Sequence, residues 1–197
     1  MNYFWIFLGS ILYAEFVGYF LHKAIHSEKV AWLSKYHMYH HLRDYSPRNK
    51  MRTESYISGS KNRFHILGFG MEWVIPSAAI LAALVGILTL IGLPWYQQMF
   101  SSGVAILWSG FMFGYMHSRM HEKSFWMLKV PVLRDWFKRA RRLHDIHHIH
   151  ISPDGKMNRN YGICFFFMDR LFGTYITKAG KSKEGYSKAL ERYSGVV

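Results

Sequence analysis

Ten of the twelve histidines of this chain fall into four clusters: His22 and His26; His37, His40 and His41; His117 and His121; His144, His147 and His148. The spacings are HxxxH, HxxHH, HxxxH and HxxHH, in that order along the chain. On a helix of 3.6 residues per turn, positions i, i+3 and i+4 share one face, so each cluster presents two or three imidazoles side by side. Neutral imidazole nitrogen is a good ligand for divalent transition metals, and a single site uses about three or four such donors. Ten donors fill two shells of about five each, so the count predicts a dinuclear centre with all ten as ligands.

The elements that must carry these clusters are hydrophobic helices. Residues 2–21 contain one charge, Glu15, and residues 73–118 contain none, enough for one membrane span followed by a two-helix hairpin. The hairpin turns near Gly92, Leu93 and Pro94, because proline cannot continue a helix and the following Trp95 and Tyr96 suit a membrane interface. A chain of 197 residues that is 50% hydrophobic reads as one domain, 1–197. The predicted fold is all-α, a multi-pass membrane helical bundle of three to four spans with a cytoplasmic helical cap that holds the dinuclear metal site.

Positive charge sets the expected orientation. Of the 25 Lys and Arg, nine lie between Lys23 and Arg63, sixteen lie from Arg119 onward, and none occurs in 1–22 or 64–118. The positive-inside rule then puts the N-terminus and hairpin tip outside, and the metal site and C-terminus in the cytoplasm, of a bacterial inner membrane or the endoplasmic reticulum. Both HxxxH pairs fall at the cytoplasmic end of a span, about 20 residues from its far end. Ten residues separate the first HxxxH from its HxxHH and 22 separate the second, so the chain reads as two unequal copies of one span-plus-ligand unit. Segregation of the net charge of +13 by membrane side accounts for it without nucleic acid. The segment before Lys23 lacks the basic n-region of a signal peptide, and the single Cys164 rules out an intramolecular disulfide and suits a reducing compartment.

The four clusters, with the tail Asn160-Tyr161-Gly162 and Asp169-Arg170-Leu171-Phe172-Gly173-Thr174 that follows them, resemble the fatty acid hydroxylase/sterol desaturase superfamily of membrane non-haem diiron oxygenases. The resemblance covers roughly residues 12–176. It implies a helical membrane fold, two Fe ions held by histidine, O2 as co-substrate, and hydroxylation of a membrane lipid. The favoured substrate is a fatty acyl chain or acyl lipid. Sterol-type oxidation or desaturation, carotenoid hydroxylation and aldehyde deformylation on the same centre stay open. Related carotenoid hydroxylases carry four residues inside their HxxxxH elements, whereas both elements here carry three, which tilts toward the acyl and sterol branches. The chain begins directly with a span and has no fused cytochrome b5 domain, so electrons are expected from a separate ferredoxin- or cytochrome b5-like donor. Zn outcompetes Fe(II) at such ligands, so a purified sample could carry zinc or another divalent ion.

Neutral ligands leave a di-ferrous centre with a formal charge of about +4, so carboxylates around the ligands are expected. The candidates are Glu15, Asp145 and Glu122, with Asn160 from the tail motif. Glu15 lies two turns deeper than His22, about 10 Å along the axis and too far to share its metal, so it either lines the substrate channel or bonds a neighbouring helix. Asp145 and Glu122 abut ligands, where they orient an imidazole or face solvent. Asp169 beside Arg170 reads as an ion pair or a cap. His65 and His150 are left outside the ligand set. The run Lys138 to Arg142 serves either an acidic electron donor or lipid headgroups, and Phe165 to Phe167 serve packing or cover the channel. Two other classes compete: a metal transporter, which would place its ligands near the bilayer midplane, and a catalytically silent lipid-binding protein, which would have no use for a complete ligand set.

Overall fold

A computed structural model describes residues 2–57, 65–66, 69–180 and 183–195. Lys61, Arg63 and Lys181 of the positive set, and the side chains of His65 and Lys183, lie outside the described residues. Among the described residues three helical stretches are long and apolar enough to cross a membrane: Tyr3–Ile25, Met71–Leu90 and Trp95–Met120. The first is helix α1, capped by the Asn2 side chain, which accepts from the Phe4 N–H. The second is α3 (Val74–Leu90), entered through a single tight turn at Met71–Trp73. The third starts as α4 (Trp95–Ser109), widens into a π-helical stretch at Gly110–Met116 and ends as the short α5 (His117–Met120). Gly92 turns the hairpin with φ +75°, a left-handed conformation that glycine adopts without steric cost, and Pro94 caps α4.

Outside the spans lie α2 (Ala31–Tyr39), which runs into a π-helical turn at His40–Asp44, and then α6 (Pro131–Ile149), α7 (Phe167–Leu171) and α8 (Lys183–Arg192). Among the described residues the only strands are β1 (His65–Ile66) and β2 (Phe69–Gly70), a minimal antiparallel pair.

The spans pack through small and polar residues as well as apolar ones. Ile6, Ala14, Leu84, Leu88 and Ala105 form a buried cluster between α1, α3 and α4. Within it Ser10 Oγ meets Ser101 Oγ at 2.7 Å, and Tyr13 Oη donates to the Ile80 carbonyl at 2.7 Å. Hydrogen bonds between helices matter here because lipid offers a polar side chain no partner. Glu15 follows the same logic. It is buried and accepts from Trp108 Nε1 at 2.8 Å, so of its two expected roles the contact to a neighbouring helix is the one observed.

Helix α6 lays its apolar face on the lower end of the third span, where Met112, Met116 and Met120 meet Phe137, Ala140 and Leu143. Helix α8 closes the other side through Tyr186, Ala189 and Tyr193 against Met38 and Leu42. Pinned between these layers, the ends of α1 and α5 face α2 and α6, and all four histidine clusters meet there.

Candidate metal centre

The ten imidazoles converge into two groups of five, in each of which one ligand atom per residue lies within 4.8 Å of the others. One group is His22, His26, His37, His41 and His147; the other is His40, His117, His121, His144 and His148. Each HxxxH pair stays together, but each HxxHH divides. The i,i+4 pair His37/His41 joins the first group while His40 joins the second; His144/His148 joins the second while His147 joins the first. Each group thus takes four ligands from one half of the chain and one from the other. The His41 and His148 rings stack at 3.8 Å between centroids and join the two groups.

Local backbone geometry accompanies this division. After His40 the helix opens into an i→i+5 turn, with Tyr45 N–H bonded to the His40 carbonyl at 2.9 Å. A second π stretch precedes His117. Such insertions recur at functional sites because they rotate the side chains that follow.

Backbone carbonyls orient several of the rings. His22 Nδ1 and His147 Nδ1 contact the carbonyls of Tyr161 and Arg159, at 2.5 and 2.7 Å. His121 Nδ1 contacts the Met51 carbonyl and His148 Nδ1 the Tyr45 carbonyl, each at 3.2 Å. A carbonyl only accepts, so each of these Nδ1 atoms carries the proton and each Nε2 presents a bare lone pair. The Nε2 atoms converge inward: Nε2–Nε2 separations are 3.1 Å for His22–His37, 2.8 Å for His26–His37, 3.2 Å for His26–His147 and 3.0 Å for His121–His144. In addition, His40 Nε2, His117 Nε2, His148 Nε2 and both nitrogens of His41 are buried without a hydrogen-bond partner. Converging buried lone pairs are costly unless a cation satisfies them, so the donor set fits two transition-metal ions.

Burial also prepares the ligands. It pushes His121 down to about 3. It holds His26, His37, His40, His41, His144, His147 and His148 well below the ordinary histidine range, with neighbouring imidazoles adding to the effect for each; at His147 the Arg159 carbonyl partly opposes it. At neutral pH these rings are uncharged, the form that binds metal.

The expected outer carboxylates take other positions. Neither group contains an acid, and the hydrogen bonds of Glu15, Asp145 and Glu122 go to Trp108, Arg52 and Arg119. Peptide carbonyls stand where carboxylates were expected, since turns 45–51 and 159–161 run directly against the rings. The Asn160 side chain hydrogen-bonds to Leu143 and Ile176 and to none of the ten imidazoles, but the residue sits between the two whose carbonyls hold His147 and His22. Its φ is +54°, and its Nδ2 donates to the carbonyls of Leu143 (3.2 Å) and Ile176 (2.9 Å) while Oδ1 accepts from the Ile176 N–H (2.8 Å).

Asp169 is fully buried and accepts from the N–H groups of Tyr161 (2.7 Å) and Gly162 (2.8 Å) and from Thr174 Oγ1 (2.6 Å). The expected ion pair with Arg170 is replaced by this clamp, and Arg170 lies over the Tyr175 ring. Gly162 is required by the same packing: a Cβ there would lie 2.2 Å from the Phe165 carbonyl oxygen. His150 accepts from Gly180 N–H, and Phe165 stacks on Trp108, so neither joins the metal groups.

A cavity of about 680 Å³ opens beside the groups. His22, His37, His40 and His117 form part of its wall; its deep end lies among Tyr13, Ala14, Ile80, Leu81, Ala105 and Ile106, and its other end among Tyr36, Asp44, Tyr56 and Glu72.

A family model described as Fatty acid hydroxylase matches residues 7–174. No curated protein and no solved structure matches the chain.

Proposed function

Given that the chain belongs to the fatty acid hydroxylase family, a membrane oxidoreductase family, we propose that it is an O2-dependent diiron hydroxylase of a membrane lipid, acting on an acyl chain. The observation that carries this reading is the cavity that shares four histidines with the two ligand groups and extends from them into the apolar bundle. When loaded, such a centre supplies reductive activation of O2, one atom entering a C–H bond and the other leaving as water, with two electrons from outside. The chain's own residues do the rest. The ten imidazoles hold the ions, the carbonyls of Tyr161, Arg159, Met51 and Tyr45 fix ring orientation, and the spans exclude water from the chain being oxidised.

The cavity also suggests where along the lipid oxidation falls. Tyr13 precedes His22 by nine residues on one helix, so the apolar arm runs about 13 Å past the ligands, room for roughly ten methylenes. The polar end, with Tyr36, Asp44, Tyr56 and Glu72, lies beside the ligands. A headgroup held there presents a carbon near the head of the chain, with its tail in the arm. Ala105, buried at the deep end, is the position to test. Ala105→Leu is expected to move the preferred substrate to chains several methylenes shorter, read as turnover against chain length; an unchanged profile would remove this arm as the acyl site.

The distribution of Lys and Arg supports a cytoplasmic location for the centre and the C-terminus, with the N-terminus outside. Electrons come from a separate acidic donor protein, for which exposed Lys138, Arg139 and Arg142 on α6 offer a landing face.

The test of the activity is expression in a lipid-producing host under 18O2, with lipid mass spectrometry, of the parent and of His144→Ala. A lipid carrying one 18O atom in the parent alone is the expected result. Identical lipids in the two strains would exclude an oxygenase.

A further inference from the structure

Two separate stretches of chain reach the two ligand groups. Both carbonyl anchors of the first group, on His22 and His147, belong to Tyr161 and Arg159, the neighbours of Asn160. Both carbonyl anchors of the second group, on His121 and His148, belong to Met51 and Tyr45. Each stretch has its own side-chain lock. Asn160 ties the first to α6 and to residue 176 through three hydrogen bonds. Tyr45 ties the second: its hydroxyl accepts from Ile57 N–H at 2.7 Å and meets Thr53 Oγ1 at 3.1 Å, while its ring stacks on His121 at 4.0 Å.

We propose that the two metal sites are anchored independently, the first by the turn locked by Asn160 and the second by the turn locked by Tyr45, so that each ion can be loosened without the other. This rests on the reading of the ten histidines as a dinuclear centre. Asn160 and Tyr45 are positioning residues, because they act on the ligands through peptide groups and ring packing. A carbonyl that accepts from Nδ1 fixes the ring and raises the basicity of the opposite nitrogen, and losing such a partner costs about ten- to a hundredfold in metal affinity. Since no hydrogen bond of either lock reaches the other turn, that loss should stay on one side. The crosswise ligand exchange makes the expectation sharp: His147 is held with the first group although four of that group's five ligands come from the N-terminal half.

The test titrates Fe(II) anaerobically into full-length, metal-free protein in detergent, reading bound iron by equilibrium dialysis. The parent takes up two ions. In a His144→Ala background, which breaks the second group, Asn160→Gly is expected to weaken the remaining ion ten- to a hundredfold and Tyr45→Phe to leave it within about twofold. In a His147→Ala background the two effects are expected to exchange. Glycine retains the positive φ at 160, and phenylalanine retains the stacking on His121. Should Asn160→Gly fail to fold, Asn160→Asp keeps the acceptor toward Ile176 N–H and loses only the two donated bonds, with the same expectation. Equal weakening of both sites by either change, or no weakening by both, overturns independent anchoring. A parent that binds no iron removes the centre itself, and the anchoring with it.

Discussion

Replacing His147 by alanine is expected to remove one metal ion and lower lipid turnover by about a thousandfold or more, while the protein stays folded. His147 is one of five imidazoles in the first group and comes from a helix whose other two clustered histidines join the second. Truncating it opens one shell and leaves the other five rings untouched. If the chemistry needs both ions, the surviving ion supports no oxidation, and the size of the loss is that of removing a centre that supplies the hard step. His144→Ala is expected to give the same pair of results from the opposite group. Metal analysis beside turnover separates the possibilities: a variant that holds one ion and keeps substantial turnover would show that a single ion suffices and would end the dinuclear reading.

Acid is expected to unfold the metal-free protein through the same residues. Burial depresses His26, His37, His40, His41, His121, His144, His147 and His148 in the folded state, whereas in an unfolded chain each returns to about 6.5. The unfolded state therefore binds more protons at any pH between these limits. The stability these groups contribute is fully present above about pH 6.5 and is lost as pH falls toward the folded values, by up to about 1.4 kcal/mol per pH unit for each group. Several such groups titrating in one window make the transition steep. Bound metal holds the rings deprotonated and binds only the folded chain, so the loaded protein should withstand lower pH. Thermal unfolding in detergent, followed by tryptophan fluorescence from pH 8 to pH 4.5 with and without Zn(II), measures both effects. An apo midpoint unchanged between pH 7.5 and 5 would show that the histidines are not buried as neutral rings.

The acids teach a narrower lesson about outer-sphere residues. Proximity in sequence to a ligand made Asp145 and Glu122 candidates, yet their side chains leave the site for Arg52 and Arg119. Asp145 still bears on the centre at one remove, since Arg52 adjoins Met51, whose carbonyl holds His121. Asn160 and Asp169 act in the same indirect way on the other side, and the segments Asn160–Gly162 and Asp169–Thr174 gain a common physical meaning: together they shape one turn so that the carbonyls on either side of Asn160 face the rings. Nothing in residue type alone announces a carbonyl as a partner, because every residue has one.

What could be read without coordinates was whatever depends on neighbours a few residues apart. Hydrophobic runs located the spans and the Gly92–Pro94 turn, and the i, i+3, i+4 spacings picked out the ten histidines that converge. These follow from helix periodicity, which is local. Which imidazole joins which group, that His40 and His147 cross over, that carbonyls rather than carboxylates hold the rings, and where the cavity runs were decided only by tertiary packing. Each depends on the rotation of one helix against another, on π turns that change that rotation, and on contacts such as Asn160 to Ile176 or His148 to Tyr45 that close only when distant segments meet.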